Sequence, residues 1–200
     1  MRLSAILFAA VLGATAPAFA MPAFAMPAAA AEAAATAHDP AKVAVVAQIL
    51  DNLHTVDIAI KGGERSLRSD PTIMKMAPAD QDLIIKLFDD EMQKRHSAMI
   101  TAMAEDNSDR FTIDQLNDIL TFSRIKYAQD VCFYAADPTG PMPDPNSMTA
   151  QERADFSRIG DAPYTADFLD NFNFSSETAY VSEAVVAAVQ RFVAMRASHG

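Results

Sequence analysis

The stretch SSETAYVSEAVVAAVQRFVAM, residues 175–195, decides the fold class. Val181, Ala184, Val185, Ala188, Val189, Phe192 and Met195 recur at i, i+3, i+4 and i+7, which is the period of a helix with one buried face. Ser175, Ser176 and Glu177 supply start signals in front of it. A helix this apolar needs others to pack against, so the rest of the chain is read for the same period.

It is found repeatedly. From Asp39 to Ile60, the residues Val43, Val46, Ile49, Leu50, Leu53, Val56 and Ile60 form one stripe, and Gly62-Gly63 is expected to stop that helix. The segment SDPTIMKMAPAD, residues 69–80, carries two prolines and reads as a connector. Asp80 is the expected cap of a long helix with Leu83, Ile84, Leu87, Phe88, Met92, Met99, Ile100 and Met103 on one face, ending at EDNSD. Thr112 and Gln115 then make a capping box, and the helix behind it is predicted to run to Phe133 or Tyr134.

The proline-rich DPTGPMPDPNS, residues 137–147, is an exposed loop, because its prolines cannot sit in a helix interior. Thr149 and Glu152 repeat the capping box before a short helix with Phe156 and Ile159, which Gly160 ends. A further short segment carries Tyr164, Phe168 and Phe172. No stretch alternates at period two. The fold class is therefore all-α, an irregular bundle of five or six amphipathic helices in a single domain over residues 38–200.

The opposite end of the chain argues for export. Arg2 precedes the apolar LSAILFAAVLGA, and small residues are spaced for signal-peptidase cleavage after Ala20 or Ala25. The apolar run is shorter than the roughly 20 residues needed to cross a bilayer, so residues 1–25 are read as a cleaved signal peptide rather than an anchor. No cysteine follows the run to accept a lipid. Residues 26–37 are an Ala/Pro-rich tether. The expected location is the periplasm or the outside of the cell, with no stable membrane insertion after cleavage.

A formal charge of −10 opposes phosphate backbones, and removing Arg2 with the leader makes it more negative still. Nucleic acid is thus an unlikely partner on electrostatic grounds. Cys132 is the single cysteine, so no intramolecular disulfide can form. Between Val131 and Phe133 it reads as an apolar thiol rather than a nucleophile.

Residues 99–131, MITAMAEDNSDRFTIDQLNDILTFSRIKYAQDV, carry Phe111, Thr112, Gln115, Leu116, Leu120 and Phe122 in a pattern that resembles the secreted bacterial family called domain of unknown function 2059. Ser123 stands where that family tends to have an aromatic, and Lys126 to Ala128 lack its glycine. The resemblance implies an exported, all-helical periplasmic protein and transfers no catalytic residue.

The known chemistries find little purchase. DNSDRFTIDQLN is superficially like a calcium loop, but Arg110 falls on the fifth ligand position, Phe111 replaces the required glycine, and Asn117 replaces the bidentate acid. His54 with Asp51 or Asp57, and His96 on another helix, suggest a transition-metal pair, yet no HxxxH or HExxH spacing supports it; His38 falls at the tether's end and His199 at the C-terminus. Asp89-Asp90 and Asp167-Asp170 could serve acid–base chemistry only if buried in a cleft. No GxSxG and no phosphate-cradling glycine loop occurs. No catalytic residue, metal ligand or cofactor is assigned.

Two readings of function follow. The first is a noncatalytic interaction module of the cell envelope, taking a protein or peptide partner in a groove lined by Met92, Met99 and Met103, whose flexible thioethers suit adaptable contacts; the loop at Pro141 to Pro145 is a second contact candidate. The alternative is a small-ligand protein or enzyme with a site assembled between helices, the aromatics Tyr164, Phe168, Phe172, Phe174 and Tyr180 lining its pocket. One oddity remains: FSRI occurs at 122–125 and again at 156–159. Both copies are read as amphipathic segments in which Phe and Ile pack while Arg reaches solvent.

Overall fold

The computed structural model describes residues 38–198, and within them every regular element is helical. The signal segment 1–25 with its two cleavage sites, the 26–37 tether and His199 lie outside the described residues. Eight α-helices follow in order: α1 (Pro40–Asn52), α2 (Thr55–Ser69), α3 (Pro78–Ser108), α4 (Ile113–Ser123), α5 (Lys126–Ala136), α6 (Ala150–Gly160), α7 (Pro163–Asp170) and α8 (Ser175–Ala197). The fold is the expected all-α bundle. It has more helices than the five or six anticipated because two predicted helices are each broken in the middle.

The first break is at His54. The expected Asp39–Ile60 helix stops at Asn52, His54 takes left-handed backbone angles (φ 56, ψ 37), and α2 leaves at 53° to α1. Its two arms bury Val46, Ile49 and Leu50 on one side of the break and Val56 and Ile60 on the other. Apolar period survives the bend because both arms face the same core.

Gly62 and Gly63 do not stop α2, which continues to Ser69. Gly63 instead lets α2 close onto α3: a Cβ there would stand 2.3 Å from Cζ of the fully buried Phe88. Gly63→Ala is therefore expected to destabilise despite alanine's better helix propensity, by a net of about 1–2 kcal/mol. Gly62→Ala, which meets open space, is expected to stabilise slightly. Chemical denaturation of the two variants checks the contrast, and equal midpoints would refute the close approach.

The second break falls between α4 and α5. Buried Ser123 donates its hydroxyl to the Leu120 carbonyl at 2.9 Å, and the Gln129 side chain donates to the Ser123 carbonyl at 2.9 Å. Side chains thus occupy carbonyls that a continuous helix would have bonded, and Ile125 turns inward. Both capping boxes form as expected, Thr112 with Gln115 and Thr149 with Glu152.

α3 is the central element, 31 residues or about 46 Å long. It begins at Pro78 without a side-chain cap; Asp80 lies in its first turn and pairs with Arg196 of α8 rather than capping. α3 ends within EDNSD, as expected, at Ser108, and buries Asn107 in its last turn. α1, α2 and α8 pack around α3, and α4 packs on α1 and α6. Fully buried Ala184 and Ala188, one turn apart, bring α8 close.

The FSRI copies meet in space. Phe122 and Ile125 of the first pack with Phe156 and Ile159 of the second in a small cluster separate from the main core. The Phe122 and Phe156 rings stack at 5.2 Å, and Tyr127 sits edge-on to Phe156. Arg124 and Arg158 are exposed, as expected; Arg158 reaches Asp118 at 3.3 Å. The shared tetrapeptide is two halves of one contact.

Candidate functional site

The break at His54 builds a polar cleft. It opens where the α1–α2 corner meets α3, holds about 300 Å³, and is lined by Asp51, His54, Thr55, Val56, Asp57 and His96. The Asp51 carboxylate lies 3.0 Å from His96 Nε2, and Asp57 lies 3.2 Å from His54 Nδ1. A carboxylate only accepts hydrogen bonds, so each of these ring nitrogens carries the proton and the other nitrogen of each ring is left able to accept one. The four residues singled out in the sequence as a conceivable metal pair do converge, then, from α1, α2 and α3. They are held as two separate imidazole–carboxylate pairs, all about half exposed. No three His, Cys, Asp or Glu side chains among the described residues stand close enough together to hold a metal ion.

The methionines have a different fate. Met92, Met99 and Met103 are all fully buried in the main core among Phe88, Ile100 and Leu116. They cannot line an open groove, because the α3 face that carries them is covered by other helices of the same chain. Phe168 and Phe172 are likewise buried, in contact with each other and, respectively, with Phe111 and Phe174. Tyr164 donates its hydroxyl to Asp118 at 2.6 Å instead of lining a pocket.

Among the described residues, exposed large apolar side chains are Met74, Ile113, Val131 and Met142 and, on α8, Val186, Val189, Val193 and Met195. The core face of this helix is Val181, Ala184, Val185, Ala188 and Phe192. Val189 and Met195, read from sequence as part of it, point outward. Val186 (53% exposed), Val189 (39%) and Val193 (58%) form a continuous outer stripe at i, i+3 and i+7. Met142, at 79% exposure, stands in the proline-rich loop.

In the pairs Asp89-Asp90 and Asp167-Asp170, which could serve acid–base chemistry only if buried in a cleft, Asp89, Asp90 and Asp167 are each engaged separately. Asp167 is taken by Arg110 at 3.2 Å, and Asp90 is exposed near Arg191. Asp89 faces α2, where burial and the Glu64 carboxyl push its pKa up to about 6. Sequence reasoning missed Glu91, which is buried on α3 and gathers Lys94, Arg95 and Arg191 at 2.7, 2.5 and 2.8 Å. Hydrogen bonds from Lys94 and Arg95, and then from Arg191, hold its carboxyl down at about 2. Its role is to tie α8 to α3. Burial pushes the Cys132 thiol up to about 11, which leaves it un-ionised and poorly reactive at neutral pH.

The class that fold and surface define is a single-domain all-α bundle. In comparisons with known proteins, no family profile, no curated protein and no solved structure matches the chain.

Proposed function

We propose that the chain is exported through a cleaved signal at residues 1–25 and acts in the periplasm as a noncatalytic interaction module, docking an envelope protein or peptide on the outer face of α8. The observation that carries this reading is the Val186–Val189–Val193 stripe. Valine is a middling helix former and gains nothing from solvent, so three of them on the outside of one helix favour a surface that is covered when the protein works. An apolar helix face of this kind is read by a partner through the i, i+3, i+7 anchors. The export half rests on the leader and on the resemblance of residues 99–131 to secreted helical proteins.

Native mass spectrometry of the protein isolated from its own periplasm tests both halves. The expected chain begins at Met21 or Met26 and carries a second polypeptide, which Val189→Glu removes without lowering the melting temperature. A chain retaining residues 1–20, or one that is bare in both forms, would sink the proposal. A stoichiometric small molecule instead would favour the second reading, a ligand site at the His54/His96 cleft, which gathers two imidazoles and two carboxylates where α1, α2 and α3 meet.

A further inference from the structure

Two carboxyl groups are packed together where α2 lies on α3. Gly63 has no side chain and sits over the fully buried Phe88, so the next residue on each helix, Glu64 on α2 and Asp89 on α3, meets the other across the joint. The Glu64 side chain is only 20% exposed, and its Oε2 accepts from Lys61 Nζ at 2.9 Å. Asp89 Oδ1 is shut off from solvent, and among the described residues no group donates a hydrogen bond to it. An ionised oxygen so placed would have lost its water and gained nothing in return. A proton held between the two carboxyls supplies the missing donor, because a protonated carboxyl donates strongly to a carboxylate.

We propose that Asp89 and Glu64 share one proton across the α2–α3 contact and that this proton acts as a clasp, holding α2 on α3 while it is present and releasing it when both carboxyls are ionised. The surrounding charges do not replace it. Lys61, one turn before Glu64, attracts Asp89, but it is already bonded to Glu64 and also faces Asp137 at the end of α5. Arg65 gives its guanidinium to the Ala136 carbonyl at 2.7 Å. On α3, exposed Asp90 adds repulsion and lies 3.9 Å from Arg191 of α8, while exposed Lys86 makes no ion pair among the described residues. One cation thus faces two carboxyls at the joint. Burial, then the charge of Glu64 and its hydrogen bond, raise the Asp89 pKa from 3.8 to about 6. A carboxyl raised in the folded state binds its proton more tightly folded than unfolded, so the clasp is fully favoured below pH 3.8 and is lost as pH rises through 6.

Hydrogen exchange of the full mature chain at pH 5 and pH 8, corrected for the intrinsic rate, reads the clasp. Protection of the α2 amides at 60–68 is expected to fall at least tenfold at the higher pH relative to those of α1, one pKa unit being a factor of ten. Asp89→Asn, near-isosteric and able to donate without ionising, is expected to keep the same protection at both pH values and to exceed the wild type at pH 8. Asp82→Asn, which removes the exposed α2–α3 ion pair with Arg68, should respond to pH as the wild type does. Carbon-13 NMR titration of the Asp89 carboxyl separates a shared proton from burial alone. A midpoint near 6 is expected in the wild type, and Glu64→Gln, which removes the neighbouring charge and offers an amide donor, is expected to lower it toward the ordinary carboxylate range. Uniform α2 protection across pH in the wild type, an unchanged pH response in Asp89→Asn, or a midpoint that Glu64→Gln leaves in place would each overturn the clasp.

Discussion

Met99→Ser is expected to cost about 3–5 kcal/mol, a large share of the roughly 5–15 kcal/mol that holds a domain of this size together. Met99 is fully buried on α3, and serine removes most of its volume while placing a hydroxyl among apolar side chains. Thermal and urea unfolding followed by circular dichroism measure the loss. A near-wild-type midpoint would mean that the interior of α3 opens to solvent after all, and would restore the methionines as a binding surface. Val189→Glu, by contrast, is expected to leave the fold in place and to remove only the partner proposed for the outer face of α8.

Glu91→Gln has the second-largest expected effect, about 2–3 kcal/mol at pH 7. The charged carboxylate joins Lys94 and Arg95 on its own helix to Arg191 on α8, and it is almost wholly buried. A carboxyl whose folded pKa lies at about 2, against 4.5 ordinarily, contributes stability that is fully present above 4.5 and lost as pH falls through 2. The difference between wild type and variant should accordingly shrink from pH 7 to pH 2.5 in urea denaturation. Equal stability at pH 7 would show that the three cations hold α8 without it. Glu177, raised by burial to about 7, runs with the opposite sign, its contribution present below 4.5 and lost as pH rises through 7.

Helix grammar was the readable part of this chain. The two capping boxes and the proline-rich loop are local patterns, and the structure has them where sequence places them. The errors share a cause. Leu53-His54 and Arg124-Ile125 break helices without proline or glycine, through one left-handed residue and through side chains that satisfy carbonyls, neither of which disturbs apolar period. Gly62-Gly63 looks like a stop because propensity is intrinsic to the residue, whereas the reason for Gly63 is a phenylalanine 25 positions away on another helix. The polar cleft was half legible: its residues were noticed, but Asp51 and His96 are brought together by the packing of α1 on α3, which linear spacing does not encode. Glu177 was read as a helix-start signal, and only its burial distinguishes it from one.

The meeting of the two FSRI segments has a consequence for how the molecule comes apart. The main core and the Phe122–Phe156 cluster are separate apolar nuclei, with Tyr164 packed against both. Small domains commonly unfold in one step because a single nucleus couples every element; here α6 contributes its buried Ile159 to the smaller nucleus and is joined to α5 by the long exposed loop. The bundle is thus expected to unfold as unequal cooperative units. Its lesser unit, α6 with the end of α4 and the start of α5, is the one expected to detach and reform while α1, α2, α3 and α8 stay closed.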